Sequence, residues 1–187
     1  PIHIEYCANA AGFGAVWRAD NLQDAVYIIV TNNGVAGSVI LNNKIYSGLS
    51  GKSGAFGHIV LDPNGKECFC GGRGCWSAYC SLYNLIGNEE DKLQTFFEKL
   101  DAKDPESMKR WDEYLTHFAQ AVGNIFLSYD ADIIIGGELA SYLEPRLQEL
   151  KDKVNAYPVL AEETQNICVD VDSVNPMAEG AALTFVS

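Results

Sequence analysis

The chain has 187 residues, 48% of them hydrophobic, and a formal net charge of −12 at pH 7. This length and apolar content predict a globular chain with a substantial hydrophobic core, and they exclude an intrinsically disordered one. Because so acidic a surface repels phosphate backbones and anionic lipids, the composition disfavours direct contact with nucleic acid or a membrane surface. No apolar run approaches the roughly 20 residues that a membrane-spanning helix needs.

The first quarter of the sequence predicts a short strand over 2–6, a small-residue helix over 9–19, and then a buried strand, AVYIIVTNN. Two further short strand patterns flank Asn42 and Asn43, and such a polar pair between strands is typical of a tight hairpin turn. The sequence begins without Met and without a basic targeting segment. We therefore expect it to be a piece of a longer protein.

The middle of the sequence predicts a long loop followed by helices. Residues 49–74 are rich in Gly, Asn and Pro, whereas 75–86 and 89–100 have helical patterns. Pro105 fits the first turn of a long amphipathic helix that ends near Tyr129.

The last third alternates between strand and helix patterns. A buried strand runs into a double glycine at 136–137 and is followed by a helix over 144–155, a strand over 166–171 and a final helix from Pro176. This alternation, with near-continuous apolar strands, predicts an α/β fold.

The six cysteines are unevenly distributed. Three are crowded together, and three are scattered in apolar surroundings: Cys68, Cys70 and Cys75, and Cys7, Cys80 and Cys168. A secreted disulfide framework is smaller and more evenly spaced than this. The pattern therefore favours a reducing, cytoplasmic environment.

The crowded cysteines form a metal-ligand pattern with a histidine, in which His58, Cys68, Cys70 and Cys75 are spaced as His-x9-Cys-x-Cys-x4-Cys. Zinc takes four nitrogen or sulfur ligands tetrahedrally, and a site with no open position is structural. Glycines between the cysteines allow the tight turns that aim three thiolates at one point. The spacing thus predicts a structural zinc site, although free or disulfide-bonded thiols beside a surface histidine would also fit the residues.

The segment SGAFGHIVLDPNGKECFCGGRGCW resembles the signature of the ROK family (repressors, open reading frames and kinases). That signature reads Gly-Glu-x-Gly-His, then Cys-x-Cys-Gly-x-x-Gly-Cys-x-Glu. The segments IEYCANAA, NNGVAGSVILNNKIYSG and ADIIIGGELA are similar to other family motifs, so the resemblance covers essentially the whole chain. Within the family, the chain is most similar to sugar-responsive repressors of the N-acetylglucosamine/xylose repressor type.

The resemblance implies an α/β fold, one lobe of an actin-like ATPase (ribonuclease H-like) structure. Residues 1–187 would be the C-terminal lobe, with a zinc loop over about 49–76, and an N-terminal lobe and any DNA-binding domain would lie outside this chain. The family also implies that His58, Cys68, Cys70 and Cys75 hold a structural zinc, and that this half of the protein dimerises. Its sugar kinases phosphorylate hexoses with ATP and use an Asp as the general base.

The kinase chemistry does not transfer residue by residue. The family's Asn-Asp pair falls on Tyr6 and Cys7, and its two sugar-binding Glu positions are Ala55 and Ser77. A thiol accepts a hydroxyl proton only after losing its own, which disfavours Cys7 as a general base near neutral pH. We therefore assign no catalytic residue and do not expect ATP as a cofactor.

The glycine-rich segment is altered too, because Asn32 and Ala36 stand where the family has glycines. Added side chains limit how closely backbone N–H groups approach a phosphate. The remaining family positions that could contact a ligand weakly are His58, Asn9, Gly34, Gly136 and Gly137.

Three functions fit these observations. The first is the effector-binding and dimerising part of a ROK transcriptional regulator with a degenerate kinase site, which takes a sugar or sugar-like effector. It would be a homodimer that reaches DNA only through an N-terminal domain, without membrane contact. The second is a carbohydrate kinase with a remodelled active site, and the third is a module that only dimerises. The sequence favours the first.

Overall fold

A computed structural model describes residues 6–19, 24–87, 92–160, 166–173 and 175–183. Its centre is a five-stranded sheet in the order β3-β2-β1-β4-β5. The strands are β1 (Ala25–Val30), β2 (Val35–Leu41), β3 (Lys44–Tyr46), β4 (Asp132–Gly136) and β5 (Ile167–Val169). β1 runs antiparallel to β2, and β2 runs antiparallel to β3. β4 lies parallel to β1 and to β5.

Eight α-helices are found among the described residues: α1 (Cys7–Arg18), α2 (Ser77–Cys80), α3 (Leu82–Ile86), α4 (Leu93–Asp101), α5 (Pro105–Tyr129), α6 (Ala140–Leu143), α7 (Leu147–Asn155) and α8 (Pro176–Leu183). Short 3-10 turns occur at Phe56–His58, Glu144–Arg146 and Pro158–Leu160. None of these helices has the length and apolarity that crossing a membrane requires.

The sheet is covered on both faces, which explains why every residue of β1 is buried. Tyr27 and Ile29 pack with alanines of α1 on one face. Val26 and Ile28 point to the other face, into a larger core that includes much of α5. A strand with two buried faces is expected to be continuously apolar, as AVYIIV is.

An ion-pair network ties the α1 face to the end of β5. The Tyr27 hydroxyl donates to Asp170 at 2.9 Å. Arg18 pairs with both Asp170 and Glu179, the latter at 2.8 Å. Burial and the Asp170 carboxylate raise the pKa of Tyr27, so the phenol stays a neutral donor in this network.

Helices α1 and α8 cross very closely. A Cβ placed on Gly180 would lie 1.6 Å from the Ala10 carbonyl oxygen. The small residues of both helices therefore serve close packing.

The hairpin turn, the long α5 and the strand before the double glycine agree with the sequence predictions. Asn42 and Asn43 both have positive φ, 51° and 61°, as a tight hairpin turn with two left-handed residues requires. The predicted strand over 2–6 and residues 89–91 of the predicted helix over 89–100 lie outside the described residues.

Two predicted helices are interrupted. The pattern over 75–86 forms two short helices, because Ser81 between them is extended with ψ 156°. The pattern over 144–155 begins as a 3-10 turn, and regular helix starts only at Leu147.

Candidate functional site

Backbone hydrogen bonds within the predicted long loop hold it in a defined path. It contains the 3-10 turn that ends at His58, and two isolated antiparallel bridges close it, Val60 with Cys75 and Glu67 with Arg73. The Trp76 N–H also donates to the Ile59 carbonyl at 2.8 Å. These bonds bring His58 and Cys75 together although 16 residues separate them. We call residues 49–76 the cysteine loop.

The four predicted metal ligands form one cluster. The ligand atoms of His58, Cys68, Cys70 and Cys75 all lie within 4.8 Å of one another. His58 Nδ1 is 3.8 Å from the Cys68 sulfur, and the sulfurs of Cys70 and Cys75 are 3.7 Å apart. The structure thus brings together all four residues that the sequence pattern selected, and they can hold a metal ion.

Glycines permit the tight path between the cysteines. The Cys68 N–H donates to the Gly72 carbonyl, and the Gly71 N–H donates back to the Cys68 carbonyl, both at 2.9 Å. Gly71 and Gly74 have left-handed φ values of 87° and 71°. A Cβ on Gly74 would also lie 1.5 Å from the Asp62 carbonyl oxygen. Gly74 is therefore required both for its backbone angle and for space.

Two thiols of the cluster differ in their tendency to ionise. Hydrogen bonding from the Gly72 backbone N–H and from Cys68 lowers the pKa of the exposed Cys70. Burial raises the pKa of Cys75 to about 12. Since only a thiolate ligates a metal, metal binding here releases the proton of Cys75.

The cysteine loop is fixed to α5 through Tyr79. The Tyr79 hydroxyl accepts from the Lys66 N–H at 3.1 Å, and its ring stacks on His117 with centroids 4.1 Å apart. Gln120 of α5 adds a bond to the Leu61 carbonyl at 3.3 Å. Sequence reasoning missed this anchor because Tyr79 and His117 are 38 positions apart, and no local pattern joins them.

The turn over 31–34, where the glycine-rich segment that resembles a family motif begins, uses two of its backbone donors internally. The Thr31 N–H donates to the Gly34 carbonyl at 2.8 Å, and the Gly34 N–H donates to Thr31 Oγ1 at 3.3 Å. The next donor, the Val35 N–H, binds the Ser77 hydroxyl at 3.0 Å. The backbone N–H groups of Thr31, Gly34 and Val35, between the end of β1 and the start of β2, are thus already occupied.

Ser77 is buried, with 3% of its surface exposed. Its hydroxyl fits between Gly34 and Gly57, since a Cβ on either glycine would approach Ser77 Oγ to 2.7 or 2.3 Å. This side chain is committed to the backbone of Val35.

The remaining predicted residues take different positions. Cys7 is the exposed first residue of α1, and Asn9 in the same helix is only 4% exposed. Ala55 is the residue before the turn that ends at His58. The Ala55 carbonyl accepts from the N–H of His58 at 3.1 Å, so this position lies beside the metal cluster.

Gly136 and Gly137 end β4 and have packing roles of their own. A Cβ on Gly136 would lie 1.8 Å from the Tyr27 hydroxyl. Gly137 has a left-handed φ of 84°, and a Cβ there would meet the side chain of Ile29. Both glycines are therefore explained by the fold, and their part in ligand contact remains a prediction.

Two concavities open near the turn between β1 and β2, and Asn32 lines both of them. One, of about 290 Å³, lies beside the cysteine loop and includes Asn32, Asn33, Phe69 and Tyr83 in its lining. The other, of about 360 Å³, includes Glu138 just after the double glycine. The first is in contact with the metal cluster because Cys68 also lines it.

Comparison with known proteins supports a single family. A family model described as the ROK family matches residues 1–183. The xylose repressor of Bacillus subtilis (strain 168) is 40% identical over 105 residues, 56% of this chain and 26% of the repressor. The N-acetyl-D-glucosamine kinase of Histophilus somni (strain 129Pt) is 26% identical over 160 residues, 75% of this chain and 52% of the kinase.

The matches therefore span about a quarter and a half of these two relatives. Among solved structures, the ROK hexokinase from Thermus thermophilus superimposes with a TM-score of 0.84 at 23% identity, covering 98% of this chain and 64% of that chain. This likeness and the sheet order confirm the predicted α/β fold of the actin-like ATPase type. With a family model that matches nearly every residue, the chain belongs to the ROK family.

Proposed function

We propose that the chain is the effector-binding and dimerising part of a ROK transcriptional regulator. Its effector is a sugar or sugar-like molecule, and DNA contact comes from a part of the protein outside these residues. The 40% identity to a xylose repressor, against 26% to an N-acetyl-D-glucosamine kinase, supports a regulator. The net charge of −12 also fits a part that does not itself touch DNA.

The observation that carries the proposal is the hydrogen bond that the Ser77 hydroxyl makes with the backbone of Val35. The resemblance implies a sugar-binding carboxylate there, but the Ser77 hydroxyl instead accepts from the Val35 N–H. With Cys7 and Ala55 at the other acidic positions, none of the three family positions has a carboxylate to deprotonate a sugar hydroxyl. Phosphoryl transfer depends on positioned donors around the phosphates, and two of the four backbone N–H groups in the turn over 31–34, those of Thr31 and Gly34, are already occupied.

The metal that best fits the cluster is zinc. One nitrogen and three sulfur ligands are a common structural zinc set, and zinc–sulfur bonds of about 2.3 Å give tetrahedral edges of about 3.8 Å. The 3.7 Å separation between the sulfurs of Cys70 and Cys75 matches that edge. Four protein ligands would leave no open position, so the ion would stabilise the loop and supply no reaction chemistry.

The alternative function is a carbohydrate kinase with a remodelled site. It is favoured by the relationship to an N-acetyl-D-glucosamine kinase and by the retained Gly34, Gly136 and Gly137. The two functions differ in whether ATP is consumed.

The full-length protein provides the test. We expect it to bind DNA from its own upstream region in a mobility-shift assay, as a homodimer in sedimentation, and to release that DNA on addition of D-xylose, D-glucose or N-acetyl-D-glucosamine. Incubation with ATP and the same sugars should give no sugar phosphate. Production of sugar phosphate at a rate typical of kinases, about 1 s⁻¹ or more, would replace the proposal with the alternative.

A further inference from the structure

Solvent exposure differs among the three cysteines of the metal cluster. Cys70 is exposed, whereas Cys68 and Cys75 are only 7% and 3% exposed. A cysteine that ligates a metal is a thiolate, and oxidation of cysteine follows thiolate character and exposure. Of the three sulfurs, an oxidant in solution therefore meets that of Cys70 first.

Glycines leave the approach to this sulfur open. A Cβ on Gly71, the next residue, would meet no atom within 4 Å. A Cβ on Gly72 would lie 3.5 Å from the Cys70 sulfur and 3.9 Å from the Cys75 sulfur. A larger residue at position 72 would place its side chain against both sulfurs, so glycine keeps that side of the pair clear.

A second thiol lies close enough to form a disulfide with Cys70. The sulfurs of Cys70 and Cys75 are 3.7 Å apart, and a disulfide bond of about 2 Å requires them to approach by only about 1.7 Å. Cys75 is fixed by its bridge to Val60. The segment between the two cysteines is Gly-Gly-Arg-Gly, and glycine gives the backbone the freedom to make this movement.

Cys68 is the less suitable partner for Cys70. Its N–H and its carbonyl both bond across the turn over 68–72, and Cys70 lies at the tip of that turn. The Cys68 sulfur also contacts His58 Nδ1 at 3.8 Å. These contacts hold Cys68 in place at the base of the turn, so the pair that can react is Cys70 with Cys75.

We propose that Cys70 is a site of oxidation by hydrogen peroxide, and that it then forms a disulfide with Cys75 and the metal ion is released. The Cys70 thiolate attacks one peroxide oxygen, the O–O bond breaks, and a sulfenic acid forms as hydroxide leaves. The Cys75 thiolate then attacks the Cys70 sulfur, the S–O bond breaks, and a second hydroxide leaves. Two thiolates thus give up two electrons, and the peroxide is reduced to water once both hydroxides are protonated.

Release of the ion follows from the ligand count. Only His58 and Cys68 remain as ligands after the disulfide forms, whereas a structural zinc site uses four. The inference goes beyond the proposed function, because it concerns the cysteine loop and applies equally to a regulator and to a kinase.

The test is treatment of the zinc-loaded full-length protein, freed of reductant, with hydrogen peroxide. A chromogenic chelator follows zinc release, and mass spectrometry of tryptic peptides maps the crosslink. We expect release of about one ion per chain and a bond between Cys70 and Cys75 that dithiothreitol reverses. Trypsin cleaves after Lys66 and Arg73, so Cys68 and Cys70 share one peptide and Cys75 lies in the next. Fragmentation of the crosslinked pair identifies the sulfur that reacted.

Two histidine variants form a matched pair. Cys70→His and Cys68→His each keep four ligands, because two Cys and two His are a common structural zinc set. Cys68→His retains the reactive pair and should lose zinc to peroxide as fast as the wild type. Cys70→His lacks the exposed thiol, and its zinc release should be at least about tenfold slower.

Equal rates of release from the two variants would overturn the inference, and so would a wild-type crosslink that omits Cys70. If either variant is purified without zinc, the crosslink map of the wild type decides alone. Cys70 joined to Cys75 would then support the inference, and any other pairing, or no crosslink, would contradict it. The regulator role is unaffected by these outcomes, since the DNA-release assay tests it separately.

Discussion

The hydroxyl of Ser77 lies in a space that three backbone segments share. It accepts from the Val35 N–H at 3.0 Å and lies close to Gly34 and Gly57. A longer side chain at this position would have to leave that space, and the Val35 donor would then need another partner. One serine thus joins the start of β2 to α2 and to the turn that carries His58.

Ser77→Ala tests this role. Removal of the hydroxyl leaves the Val35 N–H unpaired in a buried position, which costs about 1–3 kcal/mol. We expect the midpoint of urea unfolding to fall accordingly with an unchanged slope. Ser128→Ala is the control, because Ser128 is exposed on α5. Equal midpoints for the two variants would show that Ser77 has no such role.

Cysteine substitution tests the metal cluster residue by residue. Cys70→Ser removes a ligand that is exposed and can be changed without disturbing the core, so we expect zinc content to fall from about one ion per chain to well below it. Cys7→Ser should retain the ion, since Cys7 is also exposed and lies outside the cluster. Mass spectrometry of the freshly purified proteins measures both. Full zinc in the Cys70 variant would remove Cys70 from the ligand set.

The sequence was informative about these residues where the chemistry is local. Cys68, Cys70 and Cys75 are close in sequence, and a metal cluster needs ligands of just these types, so spacing alone predicted the site. The bond from Val35 to Ser77 spans 42 residues and depends on how β2 and α2 pack. No sequence pattern encodes that contact, and so only the structure revealed it.

At the level of elements, the cysteine loop depends on two glycines in different ways. Gly71 and Gly74 both have left-handed φ, but a Cβ on Gly71 meets no atom within 4 Å, whereas one on Gly74 meets the Asp62 backbone. The first position therefore needs only a backbone angle. The second also needs space.

The pair Gly71→Ala and Gly74→Ala separates these needs. For Gly71→Ala we expect about 1–2 kcal/mol of destabilisation from the left-handed angle, with the zinc retained. For Gly74→Ala we expect loss of the Val60–Cys75 bridge and of the zinc, because Asp62 must move. Thermal unfolding and zinc content measure the two effects. If Gly74→Ala kept its zinc and melted with Gly71→Ala, the close contact with Asp62 would be unimportant.

The sequence predicted where helices occur better than it predicted the residues at which they begin and end. Ser81 interrupts the pattern over 75–86 because its hydroxyl accepts from the Asn84 N–H and so caps α3. Serine favours such caps over helix interiors, yet the apolar spacing on either side of Ser81 suits one continuous helix. Pro145 gives the 3-10 turn before α7 for a similar local reason, since it lacks the N–H that a helix interior requires.

On the scale of the whole molecule, the metal cluster lies apart from the main core. Cys68, Cys75 and Ala78 form a small hydrophobic cluster of their own, whereas the sheet and α5 share the large one. Trp76 connects the two regions, because it follows Cys75 and is fully buried against Phe118 of α5. The sheet therefore has ample apolar contacts that do not depend on the loop.

This arrangement predicts that removal of the metal unfolds the loop and leaves the sheet folded. Without the ion, three thiols and a histidine no longer hold the turns around Gly71 and Gly74, while apolar burial in the sheet is unchanged. Hydrogen exchange on the intact protein, before and after chelation with EDTA, measures this directly. We expect the amides of Cys68, Gly71 and Gly74, which are hydrogen-bonded within the loop, to lose protection.

The amides of β1 and β4 are the internal control, since those strands pair with each other in the middle of the sheet. Local opening exposes only the amides of the opened segment, whereas global unfolding exposes all of them to the same degree. Protection of β1 and β4 should therefore survive chelation, and restored zinc should recover that of the loop. Parallel loss of protection in loop and sheet would show that the metal stabilises the whole fold, with Trp76 as the residue that transmits its effect.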